Sequence, residues 1–119
     1  MICPVEAPTV ISEDEIERSA AIFAALASGI RVTILHYLLA HREATVTDIH
    51  RFLGITQSNT SQQLWHLAQA KIVKSRRVGT YRWYSCCDPD DVRTLLTIAG
   101  RPAKEGRRID LFRTPEPAF

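Results

Sequence analysis

At 119 residues the chain has the length of one domain with a modest core, small enough that dimerisation would add to its stability. An apolar share of 45%, a charged share of 24% and a net charge of +2 are ordinary for a globular protein, and no apolar run approaches membrane-spanning length. The N-terminus MICPVEAPTV lacks the basic start of a signal peptide, and three cysteines argue against a secreted disulfide scaffold, so a cytoplasmic protein is expected.

Residues 1–11, with Pro4 and Pro8, read as an irregular arm, residues 12–100 as the folded domain and residues 101–119 as a tail. The first helix is announced by several agreeing signals. Ser12 and Glu15 have the spacing of a capping box, Ile11 and Ile16 that of a hydrophobic staple, and Glu13 and Asp14 suit the positive end of the helix dipole. Ile16, Ala20, Phe23, Ala24 and Ala27 then repeat at helical spacing, a stripe apolar enough to be buried in the core or against a partner subunit.

A second helix is predicted over Ile30–His41, with Val32, Leu35, Leu38 and Leu39 as its core face. His36 and His41 have no ligand-like companions nearby in sequence and read as packing or solvent-exposed groups. Thr45-Val46-Thr47 reads as a short extended piece, with Thr47 capping a short helix, Asp48–Leu53, that Gly54 stops. Helix, Gly54-Ile55-Thr56 turn and helix have the spacing of a helix-turn-helix.

The second helix of that motif follows its cap Thr56 and runs through TQSNTSQQLWHLAQAK to Lys71. Thr60, Leu64, Leu67 and Ala68 share one side, which suits burial. Gln57, Ser58, Ser61 and Gln62 share the adjacent side. A solvated helix face usually carries Lys and Glu. A face of uncharged amides and hydroxyls both donates and accepts, as base edges in a major groove require.

Beyond Lys71 the apolar period changes from helical to alternating. Ile72–Val78 and Tyr81–Cys86 read as strands joined around Gly79. A basic hairpin directly after a helix-turn-helix is a wing, and Arg77, Thr80 and Arg82 near its tip suit phosphates or the minor groove. Trp83 and Tyr84 point to opposite faces and are expected to pack across strands. Asp88-Pro89-Asp90-Asp91 is a helix start, and Val92, Leu95, Leu96 and Ala99 line one side of the last helix, up to Gly100.

Charge is distributed unevenly along this order. From Ile49 to Cys87 there is no Asp or Glu, while Arg51, Lys71, Lys74, Arg76, Arg77 and Arg82 are all basic; the other residues hold 9 basic and 13 acidic side chains. A segment that approaches phosphates excludes carboxylates because each adds repulsion there.

The stretches FAALASGIRVTILHYLL and TVTDIHRFLGITQSNTSQQLWHLAQAKIVKSRRVGTYRWYS, in this order, resemble the ArsR/SmtB (arsenic-repressor) family of winged helix-turn-helix regulators over about Phe23 to Ala99. The resemblance implies a mainly α fold with a small β-hairpin, in the order α-α-α-α-β-β-α, dimeric through the first and last helices. It implies a homodimeric repressor that sits on a pseudo-palindromic DNA operator and leaves it when an inducer binds. Carried over by position, the base readers would be Gln57, Ser58, Ser61 and Gln62, with Asn59 and Gln63 as neighbours, and the wing contacts Arg77, Thr80 and Arg82. Trp65 stands where a basic or polar residue is expected, and is expected to pack against the base of the wing.

The family's metal sites can be checked the same way. The stretch that bears cysteine in some members reads TVTDIH here. In the last helix Asp91 is followed by Arg93 and no histidine, so neither zinc site is present and no metal ligands are assigned. Asp48 and His50 alone make a poor site.

Sulfur remains, at Cys3, Cys86 and Cys87. Three readings stand open for it: small buried hydrophobes, a thiol site for As(III) or another thiophilic ion, or a redox switch. No nucleophile–base pair, phosphate-binding glycine loop or carboxylate pair suggests an enzyme. The alternative function is a winged-helix protein–protein adaptor, against which the carboxylate-free segment speaks.

Overall fold

The computed structural model describes residues 10–101 and 106–114. Helix α1 (Glu13–Leu26) begins at the expected capping box: Ser12 N–H donates to the Glu15 carboxylate at 2.9 Å, and Glu15 N–H to Ser12 Oγ at 3.2 Å. The chain then turns by 93° into α2 (Gly29–His41), capped by Ser28. Among the described residues no single helix is long and apolar enough to cross a membrane.

The next cap differs from the expected one. The extended piece is β1 (Ala44–Thr45), and α3 (Val46–Leu53) starts two residues earlier than its sequence periodicity indicates. Thr45, not Thr47, is the cap. Its Oγ1 accepts from Asp48 N–H at 3.2 Å, while the Asp48 carboxylate accepts from Thr45 N–H at 3.1 Å. Asp48 lies three residues beyond Thr45, the spacing that closes both bonds at once.

Gly54 ends α3 in the left-handed region (φ 71°), its N–H donating to His50 O at 2.9 Å. A side chain would be strained there, so the tight turn into α4 (Gln57–Gln69) relies on this glycine. Thr56 caps α4 by accepting from Asn59 N–H at 3.0 Å. The hairpin is β2 (Val73–Val78) and β3 (Tyr81–Cys86), turning at Gly79 (φ 61°). β3 lies between β1 and β2, both antiparallel to it, with Thr45 opposite Trp83 and Val73 opposite Cys86. The expected two-stranded wing is therefore part of a three-stranded sheet, stitched to the body at Ala44–Thr45. α5 (Pro89–Ala99) starts at its cap Asp88.

The core forms around α2. Ile34, Leu35 and Leu38 are fully buried with Ile49 of α3 and Leu64 and Leu67 of α4, and Val73, Cys86, Val92 and Leu96 close its far side. The expected face of α2 missed Ile34, while Val32 and Leu39 are only half-buried. The reason is that α2 is packed by α1, α3, α4, α5 and β3, and a helix surrounded this way is apolar over most of its circumference.

The α1 stripe lies outside this core. Ile16 and Phe23 are 52% and 64% exposed, and on α5 Ile98 is 60% exposed. The described part of the tail folds back over α2 and α3. His41 Nε2 meets the Leu111 carbonyl at 3.0 Å, and the His41 ring lies between Tyr37 (4.2 Å) and Phe112 (4.6 Å). The Arg113 guanidinium sits 5.0 Å above the Phe52 ring and donates to Phe52 O at 3.2 Å.

Candidate nucleic-acid interface

Three buried residues orient α4. Thr60, Leu64 and Leu67 are fully enclosed, and Thr60 Oγ1 donates to Thr56 O at 3.0 Å, so that side of the helix faces α2 and α3. The opposite side then has to be exposed, and Gln57, Ser58, Ser61 and Gln62 all are. Unlike α1, α3 and α5, α4 has no acid in its first turn. The positive end of its dipole is left without a carboxylate, as suits approach to a phosphate.

Asn59 and Gln63 occupy a different environment from those four. Both are half-buried. Gln63 Nε2 donates to Asn59 Oδ1 at 3.0 Å, and Gln63 Oε1 accepts from Arg31 of α2 at 2.9 Å. Their amides are spent on holding the helix rather than offered with the exposed row.

Trp65 is also placed differently from expectation. It is more open than a packed residue: it is 58% exposed, and its ring meets His66 edge-on at 5.2 Å. At the helical repeat it falls among Gln57, Ser58, Ser61 and Gln62, so it continues their row toward the C-terminal end of α4.

On the wing, Arg77 and Arg82 face each other directly across β2 and β3, and Val78 faces Tyr81 at the tip. All four, with Thr80, are exposed. Arg82 donates to Ser75 Oγ at 3.1 Å. Arg76 is held differently: its guanidinium grips Glu43 at 2.8–3.2 Å. The run without carboxylates in sequence is thus not wholly without them in space, because Glu43 precedes it and folds beside Arg76. Sequence reasoning missed this pair, which links positions 33 residues apart. Trp83 and Tyr84 are both half-buried, and Tyr84 packs on the core.

The candidate thiols are separated by their surroundings. Cys86 is buried at the end of β3, and burial first, then the neighbouring Cys87 thiol, push its pKa up to about 11 despite Arg93. It is a thiol, not a thiolate, at neutral pH. Cys87 is exposed. Cys3 lies outside the described residues. Among the described residues no three His, Cys, Asp or Glu side chains cluster as a metal site would need. Asp48 is spent on its capping box, and His50 Nδ1 lies 3.3 Å from Ile55 O.

A helix-turn-helix whose second helix shows an uncharged polar face, beside a basic hairpin stitched to the same body, defines a winged helix-turn-helix DNA-binding protein. Residues 28–75 match the model of the bacterial regulatory proteins of the arsR family. A transcriptional repressor SmtB homolog of Synechocystis is 36% identical over 81 residues, 68% of this chain and 61% of that protein, so the match spans less than two thirds of that relative.

The crystal structure of Mycobacterium tuberculosis Rv0081 superimposes with a TM-score of 0.64 at 36% identity, covering 75% of this chain and 88% of that one. The solution structure of the homodimeric winged helix-turn-helix domain of Mb0332 from Mycobacterium bovis does so with a TM-score of 0.67 at 28% identity, covering 81% and 87%. The chain belongs to the arsR family of bacterial regulatory proteins. It is a DNA-binding transcriptional regulator.

Proposed function

We propose that two copies of the chain pair through α1 and α5 and place their α4 helices in successive major grooves, about 34 Å apart, of a pseudo-palindromic operator. Gln57, Ser58, Ser61 and Gln62 read base edges, with Asn59 and Gln63 beside them, and the wing residues Arg77, Thr80 and Arg82 hold flanking phosphates. The observation that carries the reading is the exposed, uncharged row on α4 next to a wing where two arginines face each other. The apolar groups that α1 and α5 leave in water, Phe23 and Ile98 among them, support the pairing, as does the homodimeric state of the Mb0332 domain. Such a protein acts where bacterial DNA is, in the cytoplasm, and represses while bound.

Release follows when an inducer alters the α1–α5 interface and with it the spacing of the two α4 helices. Cys87, just before the cap of α5, and Cys3 are the thiols through which a thiophilic ion such as As(III), or an oxidant, would act; Cys86 serves the core. Titrating free thiols with and without arsenite tests this, and full reactivity that arsenite leaves unprotected would remove the ion.

The central experiment replaces Gln57 and Ser61 by Ala and measures binding to DNA upstream of the protein's own gene and to a scrambled duplex. Preference for the upstream DNA should be lost, at about 1–3 kcal/mol per bidentate base contact removed. An unaltered preference would turn the reading to a protein–protein adaptor.

A further inference from the structure

The strongest unexplained feature is a guanidinium placed between three helices. α1 packs chiefly on α2, and α4 on α2 and α3. Between α1 and α4 lies a groove of about 380 Å³, lined by Ala21, Ala24 and Ala25 on one side and His66 and Gln69 on the other. The alanines leave it open, and Arg31, in the first turn of α2, lines it.

Each nitrogen of that side chain has a partner. Nε donates to Ala25 O at 2.6 Å and Nη2 to Ala24 O at 3.4 Å, both carbonyls in the last turn of α1. Nη1 donates to Gln63 Oε1 at 2.9 Å, and Gln63 passes the connection to Asn59 Oδ1 at 3.0 Å. Asn59 is in the first turn of α4, where its own N–H is held by the Thr56 cap.

The last turn of α1 has no basic residue of its own. Arg31 supplies the missing positive charge at the negative end of that dipole from a neighbouring helix. Gln63 has few ways to turn, since both ends of its amide are engaged.

We infer that Arg31 is a positioning residue for DNA recognition: through Gln63 and Asn59 it ties the C-terminal end of α1 to the first turn of α4. A displacement of α1 is thereby passed to the residues that meet DNA without either helix packing closely on the other. The planar fork matters as much as the charge, because one ammonium cannot reach two α1 carbonyls and Gln63 in the same geometry. The inference rests on the reading of α4 as the base-reading helix, and the test separates the two.

A duplex is selected by the wild-type protein from a random-sequence pool. For each variant the ratio of its affinity for this duplex to that for unselected pool DNA is measured at one salt concentration, with a thermal melt to establish folding. Gln63→Met, which keeps the length of the side chain and removes both hydrogen bonds, and Arg31→Lys should each lower the ratio about tenfold. The double variant should be no worse than the poorer single, because both break one chain. Gln63→Glu, which can still accept from Arg31 and can accept from Asn59 Nδ2 once that amide turns over, should restore the ratio relative to Gln63→Met.

Additive losses, equal losses on both DNAs, or an unaltered ratio in folded Gln63→Met would each overturn the inference. If Arg31→Lys does not fold, Gln63→Met and Gln63→Glu decide alone. Gln57→Ala/Ser61→Ala is measured alongside. If that pair leaves the ratio intact, the reading of α4 falls and the relay with it; if it abolishes the ratio while Gln63→Met does not, only the relay falls.

Discussion

Arg77 and Arg82 are directly opposite one another on adjacent strands, both exposed, and no described carboxylate forms an ion pair with either. Like charges in that register destabilise a hairpin by a few tenths of a kcal/mol. On the proposed function, a phosphate between or beside the two guanidinium groups offsets that cost. Replacing both by Ala should therefore affect folding and binding in opposite directions. The melting temperature should hold or rise by a degree or two, with loss of the Arg82–Ser75 hydrogen bond offsetting part of the relief.

On DNA, a dimer would lose four phosphate contacts, and each contributes about 0.9 to the slope of log affinity against log salt, so the slope should become shallower by about 3.6. Between 50 and 200 mM salt that amounts to roughly 150-fold less affinity lost by the variant than by the wild type. Fluorescence anisotropy of a labelled duplex over that range measures the slope, and a thermal melt measures the stability. An unchanged slope would refute the phosphate assignment. A drop of several degrees in melting temperature would show instead that the pair supports the hairpin.

Three further outcomes test the structure at other points. Thr45→Ala should cost about 1 kcal/mol in urea unfolding, because it removes the cap of α3, whereas Thr47→Ala should stay within about 0.5 kcal/mol. In a variant whose only cysteine is Cys86, reaction with a disulfide reagent should still follow a pKa above the ordinary 9.0, because burial, the largest cause, remains when Cys87 is gone. At neutral pH the native protein should therefore react more slowly than the unfolded chain, and reaction at the unfolded rate would contradict the burial of that thiol. The sign for folding follows: with its pKa raised in the folded state, Cys86 costs stability as pH climbs from about 9 to 11 and has no effect below that window. Phe112→Ala/Arg113→Ala should lower stability by about 1–2 kcal/mol in a urea melt, through loss of the ring contact with His41 and the cation over Phe52. No change would mean that the tail does not hold to α2 and α3 in solution.

Much of this protein can be read locally. The capping box at Ser12–Glu15, the stop at Gly54, the cap at Thr56 and the hairpin turn at Gly79 each depend on residues within a few positions of one another, and all four are where the sequence places them. The face of α4 was legible too, because Thr60, Leu64 and Leu67 must go inside together and the polar row must then face out. The cap of α3 is at Thr45 rather than the expected Thr47, since either can cap a helix and the choice rests on Asp48 reaching back while β1 pairs with Trp83.

The remaining features depend on chain segments that meet only after folding. Ile34 is buried because five elements surround α2. Arg76 is neutralised because Glu43 arrives beside it, and Trp65 stays largely in water. Arg31 reaches Gln63 across 32 positions, and the tail reaches His41 across 70. Sequence alone determined the succession of helices, the caps of α1, α4 and α5 and which side of α4 is polar, because side-chain period and short-range hydrogen bonds are local quantities. Tertiary structure decided which polar groups remain available to DNA and which are spent inside the protein, because a hydrogen bond between distant residues exists only once packing has brought its donor and acceptor within about 3 Å.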